Sequence, residues 1–325
     1  EFENYTDIMV TKKNFTLIGN REIDSSIAIH IMDNLECTVL LKDLMLRTEM
    51  NSDCIALGMN SKLTLDIQGE VNIHGSIKVP EHSELTITGD GLLNMVSASE
   101  SQYMIGHDLS HSHGKINLFL NNTMRLHMDS ANAIVIGGGL NEGRNPITIR
   151  MKELIIEQTG REAIGIGSRE GKASVHIENT KVSYDSRCSV SAFIGGHGVE
   201  AIVKNSDVDI VSFGDRVCGI TTYSEAGSSV TLFAAKFKSI FRSKEVFIIG
   251  GPDSFIDTAV IDSTFDISSE SSSVIAFGSN NKTGSISFYR CSGLMDIRSA
   301  NGMLFGLPDE KIEKEQCDIK FETTV

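Results

Sequence analysis

The residues that could do chemistry are few and scattered. The densest group is the run His107-Asp108-Leu109-Ser110-His111-Ser112-His113. His111 and His113 could share a zinc or nickel ion with His107 or Asp108, since imidazole and carboxylate are the usual ligands of both metals. No regular element is expected to fix them and no fourth ligand is evident. The run therefore reads as a solvated loop whose protonation tunes that edge near about pH 6.5. Gly196-His197-Gly198 puts another histidine on a glycine-flanked turn. Asp207 and Asp209 alternate with Val208 and Ile210, which aims both carboxylates to one side of an extended chain. Asp262, Asp266 and Asp296 recur further along. Stacked carboxylates of this kind could bind calcium, which takes about six to eight oxygens. The plainer reading is the solvated face of a strand, and neither a metal nor any other cofactor is expected. Gly137-Gly138-Gly139 is followed by neither Lys-Ser/Thr nor a helix, so it is not a phosphate loop. No Ser-His-Asp set can be assembled from neighbouring segments.

Composition narrows the field. The 325 residues carry 29 Lys and Arg against 43 Asp and Glu, a formal charge of −14. A nucleic-acid binder working on the phosphate backbone would carry the opposite balance, so no nucleic-acid partner is expected. No apolar run is long enough to cross a membrane as a helix, so no membrane insertion is expected. Glycine is abundant at 29 and proline scarce at 4, so glycine makes the turns. The six cysteines, Cys37, Cys54, Cys188, Cys218, Cys291 and Cys317, form no CxxC pair and sit among apolar residues. They read as buried thiols that act as small hydrophobes, which fits a reducing compartment. The chain does not begin with methionine, and it is expected to be part of a longer one.

The elements that must position these residues come from a repeat. A short apolar run ending in glycine returns at Gly58, Gly106, Gly137, Gly167, Gly195, Gly250, Gly278 and Gly306. From Gly106 the spacings are 31, 30, 28, 55, 28 and 28 residues. The 55 holds one degenerate copy at Cys218-Gly219-Ile220-Thr221, and the wider gap before Gly106 allows a shorter turn around Ile77-Lys78-Val79. Each period continues with a polar loop, an alternating strand such as Val175-His176-Ile177, a polar corner and a second strand such as Val182-Ser183-Tyr184. No window shows a helical stripe. About three strands per 28–31 residues without a helix predict an all-β parallel β-helix, each period one coil. One domain is expected over 1–325: irregular first coils in 1–50, regular coils in 51–306 and a last partial coil in 307–325.

This repeat resembles the right-handed parallel β-helix (pectin-lyase-like) superfamily of pectate lyases, polygalacturonases, phage tailspikes and bacterial surface adhesins. Ala163-Ile164-Gly165-Ile166-Gly167-Ser168 and Ala133-Ile134-Val135-Ile136-Gly137-Gly138-Gly139 look like the glycine-rich coils of large surface proteins of gut bacteria. The resemblance covers roughly residues 50–310. It implies a right-handed, single-stranded β-helix and an extracellular or cell-surface setting. The cysteine content and the coils' richness in Phe, Met and charge depart from it and keep a cytoplasmic setting open. Polygalacturonase sites resemble Asn-x-Asp, Asp-Asp, Gly-His-Gly and Arg-x-Lys on successive coils. Gly196-His197-Gly198 matches the third, but the coils before it offer Gly165-Ile166-Gly167-Ser168 and Gly137-Gly138-Gly139, with no paired carboxylates. Glycoside hydrolysis needs two carboxyl groups flanking the bond. His197 therefore reads as a loop histidine, and no catalytic residue is assigned.

Recognition is expected where the variable loops after each glycine run stack on one edge of the rod. They display Arg144, Arg169, His197, Tyr223, Glu225, Asp253 and Asn281, the candidate ligand-binding residues. A second candidate face lies near Phe233, Phe237 and Phe241, whose alternation predicts that some belong to the core. The expected function is a non-catalytic binding, adhesion or scaffold module of a bacterial protein, its partner a glycan held by the loops or another protein. The alternatives are a cytoplasmic sensory or oligomerisation module and a polysaccharide lyase or glycoside hydrolase.

Overall fold

Alternation at a period of two carries most of the chain into strands. In Lys172–Glu178, Ala173, Val175 and Ile177 are buried while Ser174 and His176 are half-exposed. The computed structural model describes residues 7–20, 24–48, 53–97, 100–140, 145–222, 228–252, 255–279, 284–306 and 311–324. These residues form 29 strands and no α-helix. Each strand pairs in parallel with its counterparts one turn away, as Lys181 does with Glu153 on one side and Asp207 on the other. The result is a parallel β-helix of about ten complete turns with shorter rungs at either end.

Three sheets run along the rod. In one coil, Lys172–Glu178 supplies a rung of the first, and the strand Lys181–Gly196 bends to supply the second with 181–187 and the third with 190–196. The preceding strand, Glu153–Ser168, makes the same bend at Gly160. Its φ is 147°, and a Cβ there would stand 1.9 Å from the Ser130 carbonyl oxygen, so only glycine fits. The repeating glycines form one row on the third sheet, with Gly106 beside Gly137, Gly137 beside Gly167 and Gly167 beside Gly195. The degenerate copy takes its place in the row through Thr221, beside Gly195. The short rung Ser76–Lys78 fills the gap before Gly106.

Inward side chains form one continuous aliphatic and aromatic core. Phe237 and Phe241 belong to it and are buried, while Phe233 is half-buried, so this row is core rather than a binding face. The third sheet is apolar on its outer side too. Ile134, Ile164, Ala192, Cys218, Phe247 and Ile275 follow one another in register there, all buried. Four of them, Ala192, Cys218, Phe247 and Ile275, pack as a cluster separate from the main core. On the second sheet, Glu153, Lys181, Asp207 and Lys236 stand in one row with alternating sign. Lys181 Nζ lies 2.7 Å from Glu153, and Lys236 Nζ lies 3.5 Å from Asp207. Asp207 is thus paired with a lysine instead of stacking on another carboxylate, and that row offers no calcium shell.

The corner between the first and second sheets explains two cysteines. Asn179, Asn205, Ala234, Asp262, Arg290 and Gln316 all have φ between 48° and 54°. The next residue in each coil is small and turns inward: Thr180, Ser206, Ala235, Ser263, Cys291 and Cys317. The Ser263 hydroxyl donates to Ile261 O at 2.7 Å and accepts from Ala235 N–H at 3.1 Å. Cys291 Sγ donates in the same way to Tyr289 O at 3.3 Å, and Cys317 Sγ accepts from Cys291 N–H at 3.5 Å. The thiols thus stand in for hydroxyls. Cys291→Ser should keep this bonding and change the unfolding free energy by less than about 1 kcal/mol, whereas Cys291→Val should cost about 1–3 kcal/mol. Urea denaturation of the two variants checks this.

Candidate functional site

The loops that follow the glycine row stack on one another as the strands do. Arg169 N–H donates to Gly138 O at 3.4 Å, Glu170 N–H to Gly139 O at 2.7 Å and His197 N–H to Gly171 O at 2.9 Å. The Thr222 hydroxyl donates to His197 O at 2.7 Å. Loop side chains are therefore held at the coil repeat, about 4.8 Å apart.

A groove of about 280 Å³ lies where these loops meet the third sheet. Its floor is aliphatic, made by Ala133, Ile134, Ala163 and Ile164, with Leu109 and Val190 towards its ends. Its rim is polar, made by Glu162, Arg169, Glu170 and His197. Arg169 Nη2 reaches back along the strand to Glu162 Oε2 at 2.9 Å, and Arg161 Nη2 lies 3.6 Å from Glu162 Oε1. Both partners are about 39% exposed, so the pair adds little to stability and fixes two planar polar groups at the rim. His197 is exposed. From the Leu109 loop to the His197 loop is three coil steps, so the groove runs about 14 Å along the rod.

Two of the candidate binding residues, Arg169 and His197, come together in this groove. Arg144, Tyr223, Glu225, Asp253 and Asn281 lie outside the described residues. Glu162, Glu170, Leu109 and the aliphatic floor were missed from the sequence. A signal for the floor existed: Ile134 and Ile164 are outward positions in apolar runs without a polar alternate. Comparison with known protein families, curated proteins and solved structures finds no match for the chain.

The histidine run stands beside the groove, joined to it through Leu109. His111 Nδ1 lies 2.7 Å from Asp108 Oδ1, and His107 Nδ1 lies 3.3 Å from Asp108 Oδ2. The two imidazoles are partly stacked, with centroids 4.5 Å apart. His113 is not part of this group. It is fully buried with Nδ1 2.6 Å from Gly114 O, and burial pushes its pKa down to about 4. Burial also lowers the pKa of His107, against the Asp108 charge. Asp108 is held below the ordinary carboxylate range by His111 and by the Ser110 N–H, which outweigh its partial burial. Two of the three histidines thus titrate below the range expected from the sequence, and His113 is a structural ring.

Nor is the loop free. Asp108 O accepts from Gly139 N–H at 3.1 Å, and His111 O accepts from Leu140 N–H at 3.1 Å. Asn145 Nδ2 donates to His113 O at 2.7 Å. Leu109 N–H donates to Gln102 Oε1 at 3.2 Å. A Cβ on Gly139 would stand 1.8 Å from Leu109 O, so glycine there lets the loops close on each other. The rigid element that the sequence does not announce is the loop of the next coil.

Proposed function

We propose that this chain is a non-catalytic recognition module that holds a short, neutral oligosaccharide in the groove between the third sheet and its stacked loops. The observation that carries the reading is the lining itself. An aliphatic floor is rimmed by planar polar side chains from successive coils, with the Arg169–Glu162 pair fixed at 2.9 Å. Sugar rings have an apolar face and a hydroxylated edge, and this floor and rim complement both. Two carboxylates against one arginine at the rim, and a formal charge of −14 overall, weigh against an acidic polymer.

Glycoside hydrolysis uses two carboxyl groups flanking the bond, and engagement of one of the rim's two, Glu162, by Arg169 favours binding over hydrolysis. Such a module suits a bacterial cell surface, and the most deeply buried thiols do not oppose that setting. Burial pushes the Cys54 thiol to about 11 and the Cys218 thiol to about 12, leaving little thiolate to oxidise.

A glycan array probed with the purified chain tests the reading, with release of sugars monitored in parallel. Arg169→Ala should weaken binding of the best neutral glycan by about tenfold or more. Lys238→Ala, on the second sheet, should not. Turnover of the bound glycan, or equal affinity of Arg169→Ala and the parent chain, would count against the proposal.

A further inference from the structure

We propose that His107, Asp108 and His111 bind a divalent late transition-metal ion, zinc in the first instance, through two imidazole nitrogens and one carboxylate oxygen. One donor atom from each of the three residues lies within 4.8 Å of the others. The inference is independent of the groove's ligand and rests on three observations of this loop.

The first is the donor set. Two imidazoles and a carboxylate suit zinc, nickel or copper, whereas calcium and magnesium prefer all-oxygen shells. Three protein ligands leave a coordination position open, as in zinc sites that keep a water. The second is preorganisation. The backbone of Asp108 and His111 is bonded to the next coil at Gly139 and Leu140, each at 3.1 Å, so the three side chains leave from a fixed loop. The third is a supporting contact. Ser110 N–H donates to Asp108 Oδ1 at 2.8 Å, the kind of outer bond that orients a ligating carboxylate.

In the metal-free loop a proton holds His111 Nδ1 and Asp108 Oδ1 at 2.7 Å. The ion would take the place of that proton, which in a neutral imidazole moves to Nε2, so binding changes neither the number of protons on the ring nor any oxidation state. Around His107, Lys78 and His111 oppose a positive charge on the ring, while Asp108 and Asp53 favour it.

The test is equilibrium dialysis and calorimetry of the chelator-treated chain with zinc alone, repeated with cobalt(II) as a spectroscopic probe. One equivalent of zinc should bind, and cobalt should show the visible absorption of a low-symmetry nitrogen–oxygen site. His111→Ala should lower zinc affinity by at least about tenfold. The His111 side chain is 61% exposed, so the variant should fold, and an unchanged melting curve confirms it. Asp108→Asn should behave similarly. His127→Ala, at an exposed histidine beside Glu157 on the second sheet, should leave binding unchanged. Failure of the parent chain to bind zinc in excess, or equal stoichiometry and affinity in His111→Ala, overturns the proposal.

Discussion

Gly137→Ala should prevent folding or lower stability by more than about 4 kcal/mol, while Gly195→Ala, in the same row, should be tolerated within about 1 kcal/mol. The two glycines occupy equivalent places in their coils, each ending an apolar run. They differ in conformation. Gly137 has φ 140°, and a Cβ there would stand 1.8 Å from the Gly167 carbonyl oxygen on the next rung. That oxygen is backbone, so relief requires moving one coil away from the next and losing the ladder bonds on both sides. Gly106 makes the same approach to Gly137 O, and Gly250 to Gly278 O. At Gly195 the row meets Thr221 instead of another glycine, and the nearest atom to an added Cβ is the Ala192 methyl carbon at 3.2 Å. The shortfall there is only a few tenths of an ångström, and φ is not in the left-handed region. Thermal melts and circular dichroism of the two alanine variants measure the difference. Equal tolerance of both would mean that the coils are not held at the separation described.

The contrast also shows what was legible. The recurrence of glycine predicts the coil, its length and its register, because a period-two pattern interrupted every 28–31 residues has few other physical solutions. The role of each glycine is less legible, since it depends on the residue one rung away, 28 to 31 positions distant in sequence. The same distance hides the site. Arg169 and His197 could be placed on one edge because they follow their glycine runs at fixed offsets. The clamp on the 107–113 loop could not be foreseen. It consists mainly of backbone groups of Gly139 and Leu140, and no residue type marks such bonds in advance. A run of three histidines therefore reads as solvent-exposed when two of its rings, His107 and His113, are buried. Five of the six cysteines were legible as buried, Cys317 being only half-buried, but none was legible as a donor. Their bonding shows only when Arg290-Cys291 and Gln316-Cys317 are aligned with Asn205-Ser206 and Asp262-Ser263 as the same corner of successive coils.

Phe277→Ala should cost about 3–5 kcal/mol, and the loss should be confined to the last coils. The ring is fully buried at the centre of an aromatic stack. It meets Phe288 edge-on at 5.1 Å, Phe265 edge-on at 5.7 Å and Phe305 at 6.1 Å. A cavity of about 330 Å³ lies beside it, lined by Phe288, Leu304, Phe305 and Ile319 among others. Removing the ring enlarges this cavity instead of leaving a sealed void, so the neighbouring rings lose packing partners and gain water. In a globular core such damage spreads to the whole domain. In a solenoid each coil touches only its neighbours, and among the described residues none in 84–97, 100–140 or 145–204 makes a sheet pairing with the coil that carries Phe277. Hydrogen exchange should therefore rise steeply over 264–279, 284–306 and 311–324 while the amides of 84–97, 115–129 and 153–196 keep their protection. Leu118→Ala, in the middle of the rod, should instead raise exchange in coils on both sides of its own. Uniform loss of protection in Phe277→Ala would show that the rod unfolds as one cooperative unit. The aromatic stack would then act through every coil rather than through the end it packs.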